Sequence, residues 1–132
     1  MVIQCNIAEI SREDCLSFLS AEHYRENLPS RVKCTGCFID GQLTGTVCIY
    51  QTSWFQTEIR YLYVIESYRN RGIGTKLVEK AVEMITTPVM AATVTKGNPQ
   101  SLHIFKKFGF QEALEFANPV SSNEVILLLK KR

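Results

Sequence analysis

The stretch Tyr61-Leu62-Tyr63-Val64-Ile65-Glu66-Ser67-Tyr68-Arg69-Asn70-Arg71-Gly72-Ile73-Gly74-Thr75-Lys76-Leu77 decides the fold. It starts as a strand, passes through a turn of the form Arg-x-x-Gly-x-Gly, and opens a helix. Such a turn gathers several backbone N–H groups and the positive end of a helix dipole at one place, which suits a phosphate. A phosphorylated cofactor is therefore expected. A plain helix-start turn with no ligand would use the same glycines, so the flanking sequence has to decide between the two readings.

Downstream, Ile73, Leu77, Val78, Ala81, Met84 and Ile85 recur at helical spacing, with Lys76, Glu79, Lys80 and Glu83 on the opposite face. This predicts a helix over residues 72–85. Pro88 resets the chain into residues 89–95, a continuous apolar run of the kind found in a strand covered on both faces. Strand, helix, strand implies a parallel crossover. Asn98 as cap and Pro99 at the first position start another helix, with Leu102, Ile104, Phe105 and Phe108 as its apolar face and Gly109 at its end. Residues 110–116 and 124–129 read as two last strands joined by residues 117–123.

Upstream, residues 2–8 read as a short strand. Ser11 is a helix N-cap with an acid three residues on, followed by Cys15, Leu16, Phe18 and Leu19 at helical spacing. Residues 21–30 form a helical or looping excursion that Leu28-Pro29 brings to an end. Residues 31–39 and 43–51 are extended runs joined by Asp40-Gly41-Gln42, an antiparallel hairpin, and residues 58–65 complete a three-strand meander.

Composition bounds the function. With 132 residues, 45% hydrophobic and 21% charged, the chain is expected to be one globular domain over residues 1–132 with a real core. The net charge is +2, and beyond the Lys130-Lys131-Arg132 tail there is no basic run or stripe, so no nucleic-acid partner is expected. The start Met1-Val2-Ile3-Gln4-Cys5-Asn6 lacks the pattern of a signal peptide, and no apolar run approaches the roughly 18 residues of a membrane span. A cytoplasmic protein without membrane association follows as the expectation.

Five cysteines are an odd number, so a complete disulfide framework is impossible; a reducing compartment is expected, with the cysteines as small apolar residues. Cys34-Thr35-Gly36-Cys37 could be half a zinc site or a redox pair, but it has no second pair, and His23 and His103 are isolated. No metal is expected.

The element order, the Arg69-x-x-Gly72-x-Gly74 turn after a strand, and Asn98-Pro99-Gln100-Ser101 leading to Phe108-Gly109-Phe110 together resemble the GNAT superfamily of acyl-CoA-dependent N-acyltransferases. The resemblance covers nearly the whole chain in order, with its specific residues between Glu58 and Phe110. It implies an α/β (α+β) fold with a mixed, largely antiparallel six- to seven-stranded sheet flanked by helices. It further implies acetyl-CoA as co-substrate and direct acetyl transfer to a primary amine of a small molecule, a peptide or a protein, with the oligomeric state left open. A non-catalytic acyl-CoA-binding or regulatory module is the alternative.

The resemblance gives the residues roles. Backbone N–H groups over Asn70, Arg71, Gly72, Ile73, Gly74 and Thr75 would cradle the pyrophosphate, with Arg69 and Arg71 adding charge or remaining solvated surface residues. The pantetheine arm would lie in a wedge between Leu62, Tyr63 and Val64 and residues 92–94. Asn98, Ser101 and Phe105 match positions beside that arm, although Asn98 serves equally as a helix cap.

Acyl transfer needs a neutral amine, and removing a proton from a lysine-like amine of pKa about 10.4 at pH 7 costs on the order of 4 kcal/mol. Glu58 matches the position of a catalytic glutamate in several family members; the alternative is a charged residue closing a hairpin. At an ordinary carboxylate pKa of about 4.3 it would need partial burial or a relaying water. The oxyanion donor carried over from the family is a backbone N–H at a strand bulge, at Leu62 with Tyr63 close behind. Phe105 departs from the family: many members carry a tyrosine here that protonates the leaving thiolate. Tyr61, Tyr63, Tyr68, His103 or water could replace it, and a thiol of pKa about 8.5 leaves tolerably as thiolate at pH 7.

Overall fold

The computed structural model describes residues 4–22 and 28–132. Its elements are β1 (Asn6–Ile10), α1 (Arg12–Ala21), β2 (Lys33–Ile39), β3 (Gln42–Gln51), β4 (Gln56–Val64), α2 (Ile73–Met84), β5 (Val89–Thr95), α3 (Pro99–Lys107), β6 (Gln111–Ala117) and β7 (Glu124–Lys131), with a short 3-10 turn at Glu66–Tyr68. The strands form one seven-stranded sheet in the order β1-β2-β3-β4-β5-β7-β6. Every pairing is antiparallel except β4 with β5, which α2 joins as the expected parallel crossover.

The local signals act as the sequence suggested. Ser11 accepts the Asp14 N–H through its Oγ at 3.0 Å and starts α1. Asp40 and Gly41 both take positive φ, 50° and 79°, the conformation that a two-residue hairpin turn matched to strand twist requires. Asn98 caps α3 by accepting the Ser101 N–H at 3.3 Å, with Pro99 at the first helical position. Two boundaries differ from expectation. The first strand begins at Asn6 and runs to Ile10, because residues 6–10 are those in register with Cys34–Phe38 of β2. The fourth strand begins at Gln56, two residues before Glu58, because Val89 donates to the Phe55 carbonyl and β5 pairs from Gln56 onward. The helical excursion expected at residues 21–30 falls largely on residues 23–27, outside the described residues; α1 ends at Ala21.

The sheet has a core on each face. Against one, α2 lays Ile73, Leu77, Val78 and Ala81 over Val47, Ile59, Met90 and Ala92, and α3 adds Phe105. Twelve residues make a marginal helix alone, so this apolar face holds α2, at about 1.5–3 kcal/mol for each fully buried large aliphatic side chain. Against the other face, α1 packs Cys15 and Leu19 on Cys34, Cys48 and Tyr61.

Two of the cysteines depart from expectation, while Cys15, Cys34 and Cys48 are buried core residues as expected. Cys5 and Cys37 are joined in a disulfide with Cα atoms 5.7 Å apart, so Cys37 is not a buried thiol. Cys34 and Cys37, three residues apart on one strand, point to opposite faces and belong to different cores, so the Cys-x-x-Cys is not a pair. Cys15, Cys34 and Cys48 are free, buried and in mutual contact. Hydrogen bonds from Cys34 and then from Cys48 lower the Cys15 thiol, whereas donation to Cys15 and Cys34, together with burial, raises Cys48.

Candidate active site

Two cavities meet at Leu62, toward the end of β4. The larger is a groove of about 560 Å³, within the size range of ligand sites. Its walls are the end of β4 (Leu62, Tyr63, Val64), the turn and first residues of α2, and the start of α3. The smaller, about 180 Å³, is a wedge between β4 and β5 that includes Thr93, Val94 and Phe105. Leu62, Asn98 and Ser101 line both, so they stand where groove and wedge join.

The wedge exists because β4 and β5 part. They pair only over Gln56–Ile59 with Val89–Ala92; beyond that, Thr93, Val94 and Thr95 keep their pairing with β7 alone. A bulge in β4 accompanies the parting. Thr46 registers with Tyr63 and Cys48 with Arg60, so Tyr61 and Leu62 together oppose Val47. Tyr61 takes φ 57°, unusual for a non-glycine residue. The buried Thr46 hydroxyl donates to the Tyr61 carbonyl at 3.3 Å, which satisfies an oxygen at the point where the ladder breaks.

The turn and helix start form the floor of the groove. Asn70 and Gly72 both take positive φ, 64° and 82°, and Gly72 is the N-cap of α2 with no side-chain cap. The first bond of α2 runs from Lys76 N–H to the Gly72 carbonyl, so the amides of Ile73, Gly74 and Thr75 precede it and are left at the helix end. A Cβ on Gly72 would meet nothing within 4 Å, whereas one on Gly74 would come within 3.1 Å of Ile104 Cδ1. The two glycines therefore have different reasons: Gly72 serves backbone conformation, and Gly74 the close packing of α2 on α3. Gln100 Nε2 donates to Asn70 Oδ1 at 2.9 Å and ties the turn to α3.

The arginines divide. Arg69 Nε donates to the Val64 carbonyl at 2.8 Å, its guanidinium 5.3 Å from the Tyr63 ring, and it lines the groove. Arg71 lies over the Tyr68 ring at 5.6 Å and is not among the lining residues.

Glu58 lines neither cavity. It is in register with Tyr50 on the face that carries α1, its side chain 21% exposed and its Oε1 3.3 Å from Arg60 Nε. Tyr63 donates its hydroxyl to Glu22 Oε1 at 3.2 Å, and burial, then the Glu22 charge, raises its phenol above the usual value. Phe105 is buried and meets Phe110 edge-on with centroids 5.3 Å apart. The family resemblance implies an acceptor entry between residues 21–30, with Glu22, His23, Tyr24 and Glu26, and residues 117–123; of those four, Glu22 is described and the other three lie outside the described residues.

The expected residues Leu62, Tyr63, Val64, Arg69, Asn70, Gly72, Ile73, Gly74, Thr75, Asn98 and Ser101 thus converge on one groove, with Phe105 in the adjoining wedge. Gly97, Gln100 and Ile104 also line it and were not expected. Gln100 had a signal, since it follows Pro99 in the first turn of a capped helix and so faces whatever that helix end faces.

A mixed sheet whose fourth and fifth strands part beside a helix N-terminus is the arrangement that the family resemblance implied. The chain belongs to the acetyltransferase (GNAT) family, whose sequence profile matches residues 5–110. It is 36% identical over 76 residues to an uncharacterized N-acetyltransferase of Chlorobaculum tepidum, a match spanning 54% of this chain and 45% of that protein. The fold is similar to that of an N-acetyltransferase from Staphylococcus aureus, with TM-score 0.80, 13% identity and 97% of each chain covered. It is similar also to a GNAT family acetyltransferase from Elizabethkingia anophelis with acetyl-CoA bound, with TM-score 0.75, 15% identity, and 97% and 98% of the two chains covered. No helix among the described residues is long and apolar enough to cross a membrane.

Proposed function

We propose that the protein transfers an acetyl group from acetyl-CoA directly to a primary amine. The observation that carries this reading is the junction at Leu62, Asn98 and Ser101, where a groove at a helix N-terminus opens into a gap between two parted strands. A diphosphate joined to a long amide-bearing arm needs both: amides and a dipole for its charge, and unpaired strand edges for its arm. The residues present suit that ligand. The amides at Ile73, Gly74 and Thr75 precede the first helical bond, and Gly72 leaves open space above them.

In this reading the Leu62 N–H, at the bulge, stabilises the oxyanion that develops when the amine attacks the thioester carbonyl. Glu58 accepts the proton of the incoming ammonium. With four residue steps from Glu58 to Leu62 at about 3.3 Å per step, the carboxylate is too far from the bulge for direct contact, so a water carries the proton. The carbon–nitrogen bond forms, the carbon–sulfur bond breaks, the sulfur leaves as thiolate, and the second proton of the nitrogen passes to water as the amide forms. Phe105 offers no proton, and a thiol pKa of about 8.5 lets the thiolate depart at neutral pH at modest cost.

Glu22 beside Tyr63 on the α1 side suits a cationic acceptor, of small-molecule, peptide or protein origin. Release of free thiol from acetyl-CoA across polyamines, amino acids, aminoglycosides and lysine peptides tests the reading. Thiol release that depends on an amine is the expected result. Acetyl-CoA that stabilises the chain, by roughly 2.7 kcal/mol at 100 times Kd, without reacting with any amine would leave a binding module instead. No stabilisation at all would remove acetyl-CoA from the reading.

A further inference from the structure

The buried thiols on the α1 face have no part in that chemistry. Cys48 Sγ lies 3.3 Å from Cys34 Sγ and 3.5 Å from Cys15 Sγ, and all three sulfurs fall within 4.8 Å of one another. Each is from 0% to 1% exposed. Free cysteine is commonly buried as a small apolar residue, so it is the mutual contact of three sulfurs, not their burial, that points to a ligand. They come from separate elements: Cys34 and Cys48 are direct cross-strand partners on β2 and β3, and Cys15 descends on them from the first turns of α1.

We propose that Cys15, Cys34 and Cys48 form a three-thiolate site for one thiophilic divalent ion of the zinc class, between α1 and the sheet. Sulfurs around a tetrahedral zinc with Zn–S bonds of about 2.3 Å stand roughly 3.8 Å apart, a few tenths of an ångström beyond the Cys48–Cys34 and Cys48–Cys15 separations. Charge favours a divalent ion over a monovalent one. Three thiolates with a divalent ion leave one net negative charge in an apolar setting, against two for a monovalent ion, and buried net charge is costly. Arg12, held at the Leu28 and Pro29 carbonyls at 3.1 Å, is close enough to act on Cys34 and offset that charge. The three sulfurs supply three of four tetrahedral positions and leave the fourth to a water.

The site has a consequence for the rest of the molecule. Thr46 donates to the Tyr61 carbonyl at the β4 bulge, and Tyr61 packs in the same core as the three cysteines. An ion here pins α1 to the sheet on the face opposite the core that takes Leu62. Because the sulfurs are covered once α1 docks, loading accompanies folding.

The test is refolding of the full chain under argon, without reductant so that the Cys5–Cys37 disulfide persists, with zinc or cobalt(II) as the sole added metal. One equivalent of zinc per folded chain is expected after dialysis, with a higher Tm than the metal-free protein and intense sulfur-to-metal charge-transfer bands for cobalt. Cys5→Ser/Cys37→Ser is expected to retain the ion. Cys15→Ser, Cys34→Ser and Cys48→Ser are each expected to weaken binding at least 100-fold. A folded wild-type chain that retains no zinc, or folded cysteine variants that bind as well as wild type, would overturn the proposal. Should the variants fail to fold, a wild-type cobalt spectrum without sulfur charge-transfer bands overturns it alone. None of these readouts depends on acetyl transfer, so the site stands or falls separately from the proposed activity.

Discussion

Arg60 Nε lies 3.3 Å from Glu58 Oε1, and both side chains sit on the α1 face of β4, immediately before the bulge at Tyr61 and Leu62. The pair puts a carboxylate next to a guanidinium beside the proposed entry of the amine. A general base contributes about 10²- to 10⁴-fold, so Glu58→Gln is expected to lower kcat by at least 100-fold while acetyl-CoA binding, measured by calorimetry, is unchanged. A variant that keeps its full rate across pH would remove Glu58 from the chemistry.

The two glycines of the turn are expected to answer substitution differently. Gly72 holds φ 82°, where a Cβ costs roughly 1–2 kcal/mol whatever the space around it. Gly74 is helical, and alanine there gains about 1 kcal/mol of helix propensity. That gain is set against a 3.1 Å approach to Ile104 Cδ1, the far end of a side chain that can rotate. Urea unfolding should therefore show Gly72→Ala destabilised by about 1–2 kcal/mol and Gly74→Ala within about 1 kcal/mol of wild type. Equal losses at both positions would contradict the division of roles.

Tyr63 supplies a pH signature. Burial first, and then Glu22, raise its phenol above the usual 10, so the fold favours the neutral form. A folded-state value above the unfolded one means that this contribution is fully present below pH about 10 and is lost as pH rises through the folded-state value. Thermal unfolding followed from pH 9 to 12 should fall more steeply in wild type than in Tyr63→Phe. Identical alkaline limbs would show that Tyr63 ionises as freely folded as unfolded.

The turn at Arg69–Gly74 and the helix start at Asn98 were legible because they are local devices: positive-φ glycine, side-chain cap and proline at the first turn act within a few residues. The β4 bulge was not legible from periodicity. It comes from register, with Thr46 and Cys48 of β3 paired to Tyr63 and Arg60 across a gap of one extra residue, and no alternation within β4 reveals it. Leu62 entered only through the family resemblance. The cysteines escaped for the same reason. Cys34 and Cys37 are neighbours in sequence and opposed in space, while Cys15, Cys34 and Cys48 are far apart in sequence and meet only after α1 docks. Arg71 lies over the Tyr68 ring, a contact that sequence spacing alone did not suggest.

Phe105 decides how far this chain departs from acid-assisted transfer. It lines the wedge, is 3% exposed, and meets Phe110 edge-on at 5.3 Å. Phe105→Tyr adds a hydroxyl at the rim of the ring, in a wedge that already holds the polar side chains of Thr93, Thr95 and Ser101. A hydroxyl that finds a partner there costs little, whereas an unpaired one costs about 1–3 kcal/mol. If the thiolate already leaves readily near its pKa of about 8.5, the added acid has little left to accelerate. The expected outcome is a change in kcat of less than tenfold, with KM for acetyl-CoA unchanged and stability lowered by no more than about 1–3 kcal/mol. Steady-state thiol release and urea unfolding, run on the same preparations, measure both quantities. A gain of 100-fold or more would mean that thiolate departure limits the native chain and that Phe105 is what holds it slow.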